Sequence, residues 1–499
     1  MQPAVDPQIR QTVGSLFEAA ERLASAVRGA ATPGRHGPAP VVRVSVEAPV
    51  VDPLTWLSRR EAGSRLYWSA RGENRTAAMS GAADQYEGSH DLDFDRLASY
   101  VRHMLEGAGP DVRYYGGLRF DPARTADPLW EPFAAFRFVL PRFEYLVTGD
   151  RAELACNLVL PRDRREVEAI ASACPDLATG LDLATGLDQA TGLDQATGLD
   201  LATHLDPSDD DAPPAETFPV AIARHDVPGR DTWISRVTAA LGTIDDHTLQ
   251  KVVLARRSSF VFDGEVPALE VFRRLRDATP NRFHYLVEAP DGRVFLGATP
   301  ERLFRREGSY LFSEAVAGTR PRVADAEGDE RLLSALLHSE KDQREHLSVR
   351  WAIEEILRPF CEALSVDAKA SEMRLSHGRH LVSRFEGVLR SGVSSWDLIR
   401  HLHPTPAVGG YPAQAAMRVI RQSEEFDRGW YAGPIGCVGY EDAEFAVALR
   451  CGVVAKDTLH LFSGAGIVTG SVPEAEWDEI EHKILDFARV LGLETEPSS

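Results

Sequence analysis

Alternation of apolar and polar positions marks the first third of the chain as strand-rich. The run VVRVSVEAPV at 41–50 alternates as a half-buried strand does, and short β-like runs continue to about residue 165. Before them, residues 1–27 carry the apolar spacing of an amphipathic helix, and a Gly- and Pro-rich loop follows. We therefore predict an N-terminal helix and loop over 1–40 and a mostly antiparallel sheet over 41–170.

A different pattern fills residues 177–206, where a six-residue unit close to LATGLD occurs five times before an acidic, Pro-rich tract. A calcium-binding solenoid is the functional alternative, because Asp and Gly recur in register. The unit lacks paired glycines and a second acid, and its low-complexity composition is typical of a linker. We predict a surface linker over 171–215 and a catalytic domain over 216–495.

From residue 216 onward the hydrophobic period changes several times, which indicates mixed helices and strands. It predicts a helix over 216–245, a strand over 249–262, strands joined by tight turns over 283–322, and a long amphipathic helix over 329–357. It then predicts one strand over 443–454, a strand ending in Gly464-Ala465-Gly466, and a final helix. No apolar run approaches the length of a membrane span.

The two acidic helices each carry carboxylates three residues apart, Asp342 with Glu345 and Glu476 with Glu479. This spacing places both members of a pair on one helix face. Acid-rich faces are most often simply solvated, and Glu479 with Lys483 also has the spacing of an intrahelical ion pair. Residue spacing alone leaves these interpretations open.

Three further side chains are candidates for chemistry. Lys251 shares a strand face with Val253 and Ala255, so burial would disfavour its charged form and suit it to act as a base. An edge-strand lysine in water is the alternative. Glu301 follows a turn, where a glutamate is usually solvated. Arg450 lies among small residues, which leaves room either to grip a carboxylate or to form a buried ion pair.

Composition limits the partners of the chain. The 499 residues carry a net charge of -20, which disfavours binding to nucleic acid and to anionic membranes. No basic segment followed by an apolar stretch opens the chain, so we expect a cytoplasmic protein. Five scattered cysteines without a C-x-x-C pair indicate neither a disulfide framework nor a zinc site. Only five of the 55 basic residues are lysines, so each lysine is a candidate for a role that requires losing a proton.

Ten ordered segments between about 245 and 490 together carry a resemblance to a known family. They read KVVLARR, LGATPERLF, EAVAGTRPR, SEKDQREH, GRHLVSRFEG, LHPTPAVGGYP, WYAGPIG, ALRCG, SGAGIV and EAEWDEIEHK. On these motifs the chain resembles the chorismate-utilising enzymes and, among them, the isochorismate synthases. DPLTWL and RLYWSARGE resemble the family's more variable N-terminal part. The implied fold is the α/β (α+β) architecture of anthranilate synthase component I, with large antiparallel sheets sandwiched and helices outside.

The resemblance also implies a set of ligand-binding residues. Glu345 and Glu479 would bind Mg²⁺, helped by Asp342 and Glu476, and the metal would hold the ring carboxylate of chorismate. The residues implied to contact the substrate are Gly318, Thr319, His380, Tyr431, Arg450, Gly464, Gly466 and Lys483.

The implied reaction is the isomerisation of chorismate to isochorismate. Lys251 would be the general base that activates a water to attack C2, and Glu301 the general acid that protonates the hydroxyl leaving C4. The lysine must then be neutral and the glutamate protonated, which burial of both would favour. Lysine at position 251 favours water over the ammonia that anthranilate and aminodeoxychorismate synthases use.

Several alternatives stay open on the sequence. A salicylate synthase would keep Lys251 and also eliminate pyruvate, although LHPTPAVGGYP favours a plain isochorismate synthase. Anthranilate or aminodeoxychorismate synthase component I is disfavoured by Lys251, and a non-catalytic relative by the joint presence of Lys251, Glu301, Glu345 and Glu479. We expect the product to enter menaquinone biosynthesis rather than a siderophore. We also expect a monomer without nucleic acid or membrane partners.

Overall fold

The structure is a computed structural model that describes residues 14–31, 39–90, 92–179, 218–323, 325–374 and 378–492. The predicted surface linker lies outside the described residues from position 180 to its end. The side chain of Thr319 is not described either. Among the helices that are described, none is long and apolar enough to cross a membrane.

Twenty strands form in the described part of the chain. They are β1 (Val41–Ala48), β2 (Arg65–Ser69), β3 (Arg75–Gly88), β4 (Tyr114–Leu118), β5 (Phe136–Thr148), β6 (Arg151–Val159), β7 (Ala221–Val227), β8 (Lys251–Phe262), β9 (Phe283–Glu288), β10 (Val294–Thr299), β11 (Arg302–Glu307), β12 (Tyr310–Pro321), β13 (Cys361–Val366), β14 (Ser371–Arg374), β15 (Gly378–Leu389), β16 (Gly410–Tyr411), β17 (Pro434–Val438), β18 (Asp442–Val447), β19 (Cys451–Ala455) and β20 (Thr458–Val468).

Eleven α-helices accompany these strands within the same described ranges. They are α1 (Leu16–Ala30), α2 (Pro53–Ser58), α3 (Phe94–Leu105), α4 (Val167–Ser172), α5 (Arg230–Asp245), α6 (Ala268–Ala278), α7 (Ala326–His338), α8 (Glu340–Leu357), α9 (Ser395–Leu402), α10 (Ala413–Ser423) and α11 (Pro473–Val490).

The strands form one antiparallel network with two halves. The first half-sheet runs in the order β7, β8, β20, β19, β10, β9, β2. The second half-sheet runs β4, β17, β18, β11, β12, β15. The long strands β3 and β5 join them, because β2 pairs with β3, β3 with β5 and β5 with β4. Large antiparallel sheets with accompanying helices confirm the predicted α/β (α+β) fold class.

The N-terminal strands are part of this same network. β2 pairs with β9, and β4 pairs with β17, so strands predicted within 41–170 are hydrogen-bonded to strands of 216–495. The N-terminal stretch is therefore hydrogen-bonded directly to the part of the chain that carries the motifs.

Aromatic side chains fill the core beside the sheet. Phe295 of β10 lies 5.4 Å from Trp130 and 6.0 Å from Trp430, measured between ring centroids. Both tryptophans are almost fully buried. Since buried aromatic rings contribute large apolar areas, replacing Trp130 by alanine would cost about 3–5 kcal/mol of stability. This packing fixes the first half-sheet against the segment that leads into the second.

Two helix predictions need correction. Residues 216–245 are not one helix: β7 pairs along β8 and ends before Pro228, and α5 begins only at Arg230. Pairing with a long central strand outweighs local helical propensity there. The predicted helix over 329–357 is two helices, because Ser339 is extended and its hydroxyl accepts the Asp342 N–H as the N-cap of α8.

The predicted strand over 443–454 is also two strands. β18 ends at Val447 and β19 begins at Cys451, with Arg450 between them at a φ of +48°. The chain crosses there from the second half-sheet to the first, and it crosses in the other sense between β10 and β11, at Glu301. The two crossings are adjacent, because the Val447 N–H donates to the Glu301 carbonyl at 3.0 Å.

Candidate active site

A cavity of about 230 Å³ opens between the two half-sheets and helices α8 and α11. Strands β8 and β20 supply one wall, β12 and β15 another, and the two crossings lie between them. Every site residue implied by the sequence motifs lines this cavity, apart from Thr319, whose side chain is not described. These residues are Lys251, Glu301, Gly318, Asp342, Glu345, His380, Tyr431, Arg450, Gly464, Gly466, Glu476, Glu479 and Lys483.

Lys251 begins β8 with its side chain inside the protein. The residue is 2% exposed, so the prediction of a desolvated lysine is confirmed and the alternative of an edge-strand lysine in water is wrong. Its Nζ donates a hydrogen bond to Glu345 Oε1 at 2.9 Å. A Cβ at Gly466 would lie 3.0 Å from Lys251 Cε, so glycine there leaves the lysine its space.

Glu301 lies at the first crossing, where β10 ends. It is 8% exposed, so the expectation that a glutamate after a turn is solvated is wrong here. Its N–H donates to the Thr299 hydroxyl at 3.3 Å, and its carbonyl is held by Val447. Burial raises the pKa of Glu301 from its ordinary 4.5 to about 7; the Lys251 charge opposes this shift and the Glu314 charge adds to it. The carboxyl can therefore hold a proton near neutral pH.

The two acidic helices supply the facing wall. Asp342 and Glu345 come from the first turns of α8, and Glu476 and Glu479 from the first turns of α11. Each predicted pair thus lies on one helix face, and both faces meet at one cavity. The interpretation of these faces as merely solvated is wrong for Asp342 and Glu476, which are buried.

Cations of the same cavity hold most of these carboxylates. Lys251 contacts Glu345, Arg320 Nη2 contacts Asp342 Oδ2 at 2.5 Å, and Lys483 Nζ contacts Glu479 Oε1 at 2.7 Å. The intrahelical ion pair suggested by the spacing of Glu479 and Lys483 is therefore present. Across the described residues, no three His, Cys, Asp or Glu side chains are already grouped as a metal site.

The donor set nevertheless fits Mg²⁺ chemically. Carboxylate oxygens are the ligands that Mg²⁺ takes in proteins, and the ion is usually held by one or two carboxylates with waters and a substrate anion rather than by a complete protein cage. Lysine and arginine side chains pair with Glu345, Asp342 and Glu479, so these three carboxylates line one cavity with their charges compensated. Mg²⁺ binding would then require exchange of these cationic partners.

The other end of the cavity is suited to an anion. Arg450 lies at the second crossing, and its Nη1 donates to the Lys483 carbonyl at 3.2 Å. Lys483 Nζ also donates to the Gly464 carbonyl at 2.9 Å. A Cβ at Gly464 would lie 2.9 Å from the Tyr431 hydroxyl, so the bare backbone allows this close approach. Burial raises the pKa of Tyr431, which keeps its hydroxyl as a hydrogen-bond donor.

His380 and Gly318 form the roof contributed by the second half-sheet. His380 Nδ1 lies 3.1 Å from the Gly318 carbonyl, so Nδ1 carries the proton and donates it. Burial, together with the Arg450 charge, lowers the pKa of His380 to about 3, so the ring is neutral. Gly318 has a φ of +70° and faces Asp342, and the backbone of Thr319 is opposite His380 in the β12–β15 register.

Sequence reasoning missed several lining residues. Arg320 directly follows Thr319 in the motif EAVAGTRPR, so the motif could have indicated Arg320 as a cavity residue, where it contacts Asp342. Ala407 and Val408 fall within LHPTPAVGGYP, which the sequence analysis singled out without assigning a contact. The apolar lining residues carried no such signal, because burial at a cavity and burial in a core give the same pattern. They include Val253, Val316, Leu449 and Phe462.

A two-part antiparallel sheet, with a cavity that gathers the motif residues between acidic helices and a buried lysine, defines an enzyme of the chorismate-utilising class. Residues 26–492 match the family described as chorismate binding enzyme, and the chain belongs to that family.

Named relatives agree with this assignment. Isochorismate synthase 2, chloroplastic, of Arabidopsis thaliana is 32% identical over 79% of this chain and 67% of its own length. The salicylate biosynthesis isochorismate synthase of Pseudomonas aeruginosa is 31% identical over 88% of this chain and 87% of its own length.

Solved structures agree on the fold. MenF, the menaquinone-specific isochorismate synthase of Escherichia coli, superposes with a TM-score of 0.76 at 26% identity, over 96% of this chain and 100% of that chain. Anthranilate synthase component I of Streptococcus pneumoniae has a TM-score of 0.61 at 18% identity, over 98% of this chain and 100% of that one. The second similarity concerns the fold alone.

Proposed function

We propose that this chain is an isochorismate synthase that converts chorismate to isochorismate. The observation that carries the proposal is the placement of Lys251 and Glu301, both buried, on one cavity with the acidic and basic residues just described. The relatives named isochorismate synthases support the same activity.

In the proposed reaction, the two buried groups move the protons. Lys251 in its neutral form accepts a proton from the water that attacks C2, and Glu301 donates its proton to the hydroxyl that leaves C4 as water. The C2–O bond forms, the C4–O bond breaks, and the two ring double bonds shift to connect the changes. Since one water enters and one leaves, substrate and product are isomers.

The remaining cavity residues bind and orient the substrate. Arg450, Lys483 and Tyr431 are suited to hold the enolpyruvyl carboxylate, with the Gly464–Gly466 backbone beside it. Glu345 and Glu479 would hold Mg²⁺, helped by Asp342 and Glu476. When bound, the ion would supply positive charge to the ring carboxylate. His380 and Gly318 would close the cavity over the ring and limit water access.

We assign the product to menaquinone biosynthesis, in a cytoplasmic monomer. The similarity to the menaquinone-specific isochorismate synthase of Escherichia coli, over almost the whole of both chains, supports the menaquinone assignment. A relative named for salicylate biosynthesis is also an isochorismate synthase, so supply of isochorismate to that route is the alternative assignment.

The test is incubation of the purified chain with chorismate, with and without Mg²⁺, followed by liquid chromatography with mass detection. We expect a metal-dependent product isomeric with chorismate, absent with Lys251→Ala. Salicylate plus pyruvate would instead identify a lyase, and an aminated product formed with ammonia would identify a synthase of the anthranilate type. No turnover under any of these conditions would identify a non-catalytic relative.

A further inference from the structure

An arginine of the N-terminal stretch reaches the turn that carries Glu301. Arg71 follows β2, and its side chain is largely buried, 11% exposed, against the turn that lines the cavity. Its Nη1 donates to the carbonyl of Pro300, the residue immediately before Glu301, and its Nη2 donates to Glu314 Oε2. One guanidinium therefore connects three segments that are distant in sequence.

Glu314 belongs to a row of alternating charges behind the cavity. Arg302 Nη1 lies 3.8 Å from Glu314 Oε1, and Arg302 Nη2 lies 2.9 Å from Glu444 Oε1. Arg302 also donates to the Arg71 carbonyl at 3.3 Å. Both guanidinium groups stack over Phe283, at 5.6 Å for Arg71 and 5.2 Å for Arg302. The row is thus fixed by hydrogen bonds and by ring contacts, and Arg71 forms its end nearest Glu301.

The charges that act on Glu301 come from three sides. Lys251 on β8 and Arg71 after β2 favour the ionised carboxylate, and Glu314 on β12 disfavours it. Arg302 lies behind Glu314 and partly neutralises it. In a buried site these interactions are strong, because little water screens them. Arg71 favours ionisation of Glu301 in two ways, because it attracts the carboxylate, although less strongly than Lys251 does, and because it partly neutralises Glu314.

We propose that Arg71 and Glu314 are positioning residues that hold the turn at Glu301 against the cavity and balance the charge beside its carboxyl. Arg71 fixes the backbone through the Pro300 carbonyl. Glu314 keeps a negative charge close by, which retains the Glu301 proton. In its link to catalysis the inference rests on the proposed role of Glu301 as proton donor.

The test compares two variants that should shift the titration midpoint of the Glu301 carboxyl in opposite directions. We expect Arg71→Gln to raise the pH at which Glu301 loses its proton by about one unit, and Glu314→Gln to lower it by a similar amount. The measurement is an infrared pH titration of the protonated carboxyl band, taken as the difference between each protein and the same protein carrying Glu301→Gln. A charge-preserving Arg71→Lys variant should keep the wild-type midpoint.

The matched control is Arg65→Gln. Arg65 lies on β2, close in sequence to Arg71, and forms a buried pair with Glu288, its Nε lying 2.9 Å from Glu288 Oε2, but it does not line the cavity. The Arg65→Gln variant should leave the titration midpoint of Glu301 unchanged. Shifts of the same sign in Arg71→Gln and Glu314→Gln, or shifts no larger than that of Arg65→Gln, would overturn the inference. If Arg71→Gln does not fold, Glu314→Gln still decides the test: a lowered midpoint supports the inference, and an unchanged or raised midpoint overturns it.

The infrared titration does not depend on turnover, so the two proposals fail separately. Absence of any product from chorismate with the wild-type chain would overturn the proposed function while leaving the opposite shifts measurable. Opposite shifts should also appear in the pH dependence of kcat/KM, in the apparent pKa near 7 assigned to Glu301. If chorismate is turned over normally but Arg71→Gln and Glu314→Gln have the same Glu301 midpoint, only the positioning role would be overturned.

Discussion

Two sides of the cavity are built differently: the turn that carries Glu301, here called the fixed wall, and the acidic faces of α8 and α11, here called the exchangeable wall. On the wall that carries Glu301, the Glu301 N–H donates to the Thr299 hydroxyl and the Glu301 carbonyl accepts from the Val447 N–H. The Arg71 side chain donates to the preceding carbonyl, and the Glu301 carboxyl is buried. On the wall formed by α8 and α11, the acids are held by side-chain cations, and the side chain of Glu479 is 47% exposed. The turn at Glu301 is held through its main-chain groups, whereas the helix acids are held by ion pairs with side chains.

This difference fits the role that we propose for each wall. A proton donor needs a constant, poorly hydrated environment, because its pKa is set by burial and by fixed charges. Residues that bind an ion and an anion need partners that can be exchanged. In the proposed complex, a chorismate carboxylate would replace Glu479 as partner of Lys483, and Mg²⁺ would replace Lys251 and Lys483 as partners of Glu345 and Glu479. The cavity would stay balanced in charge throughout.

The largest expected effect comes from removing the base. Lys251→Ala should lower kcat/KM for chorismate by about 10³-fold or more, since general bases commonly contribute 10²–10⁴-fold. Lys369→Ala, which changes an exposed lysine away from the cavity, is the matched control and should keep wild-type activity. Steady-state product analysis measures both. Activity of Lys251→Ala within tenfold of the control would remove the lysine from the proposed mechanism.

The motifs identified the residues of both walls but not the way each is supported. Lys251, Glu345 and Glu479 follow from short segments whose order the sequence displays. Arg71 lies within the quoted segment RLYWSARGE, but its contact could not be found in this way, because the contact with the Pro300 carbonyl spans 229 positions of the chain. Only the pairing of β2 with β9 brings the two segments together.

Local pattern also failed where tertiary structure decides the conformation. The break at Ser339 lies in a continuous helical pattern, and only the capping contact with Asp342 shows it. Arg450 lies in a continuous strand pattern that is interrupted because the chain changes half-sheets there. Both breaks place charged side chains at the cavity, so the local predictions were wrong at the positions where the fold builds the site.

The next effect, on stability, tests the fixed wall. The pKa of Glu301 is about 7 in the folded chain against an ordinary 4.5. The contribution of the Glu301 proton to wild-type stability should therefore be complete below pH 4.5 and should be lost as the pH rises to about 7. Glu301→Gln cannot ionise, so its free energy of unfolding should not fall in this way. The difference in free energy of unfolding between Glu301→Gln and wild type should therefore favour the variant by up to about 3 kcal/mol more above pH 7 than at pH 4.5. Urea unfolding across this range measures the difference. Glu355→Gln, at an exposed position of α8, should show no such trend.

The exchangeable wall is tested by metal binding. Glu345→Gln and Glu479→Gln should each weaken binding of Mn²⁺, used as a paramagnetic substitute for Mg²⁺, by about ten- to a hundredfold. Electron paramagnetic resonance of free Mn²⁺ measures the affinity without turnover. Glu301→Gln should bind Mn²⁺ as wild type does, and so should Glu355→Gln. If Glu301→Gln weakened binding as much as the helix variants, the two walls would not be separate devices.

The smallest expected effect comes from a single methyl group placed between Lys251 and Glu345. In Gly466→Ala the new Cβ would lie 3.0 Å from Lys251 Cε and 3.2 Å from Glu345 Oε1, so the lysine has to shift by a few tenths of an ångström. We expect about a tenfold loss of kcat/KM, because small misplacements of reacting groups are costly. Gly242→Ala, where nothing lies within 4 Å of the added Cβ, is the control and should be neutral or slightly stabilising. The infrared midpoint of Glu301 should hardly change in either variant, because a lysine shift of a few tenths of an ångström leaves the Lys251 charge that acts on Glu301 almost unaltered. A shifted midpoint in Gly466→Ala would show that the lysine transmits strain to the fixed wall and that the two walls act as one.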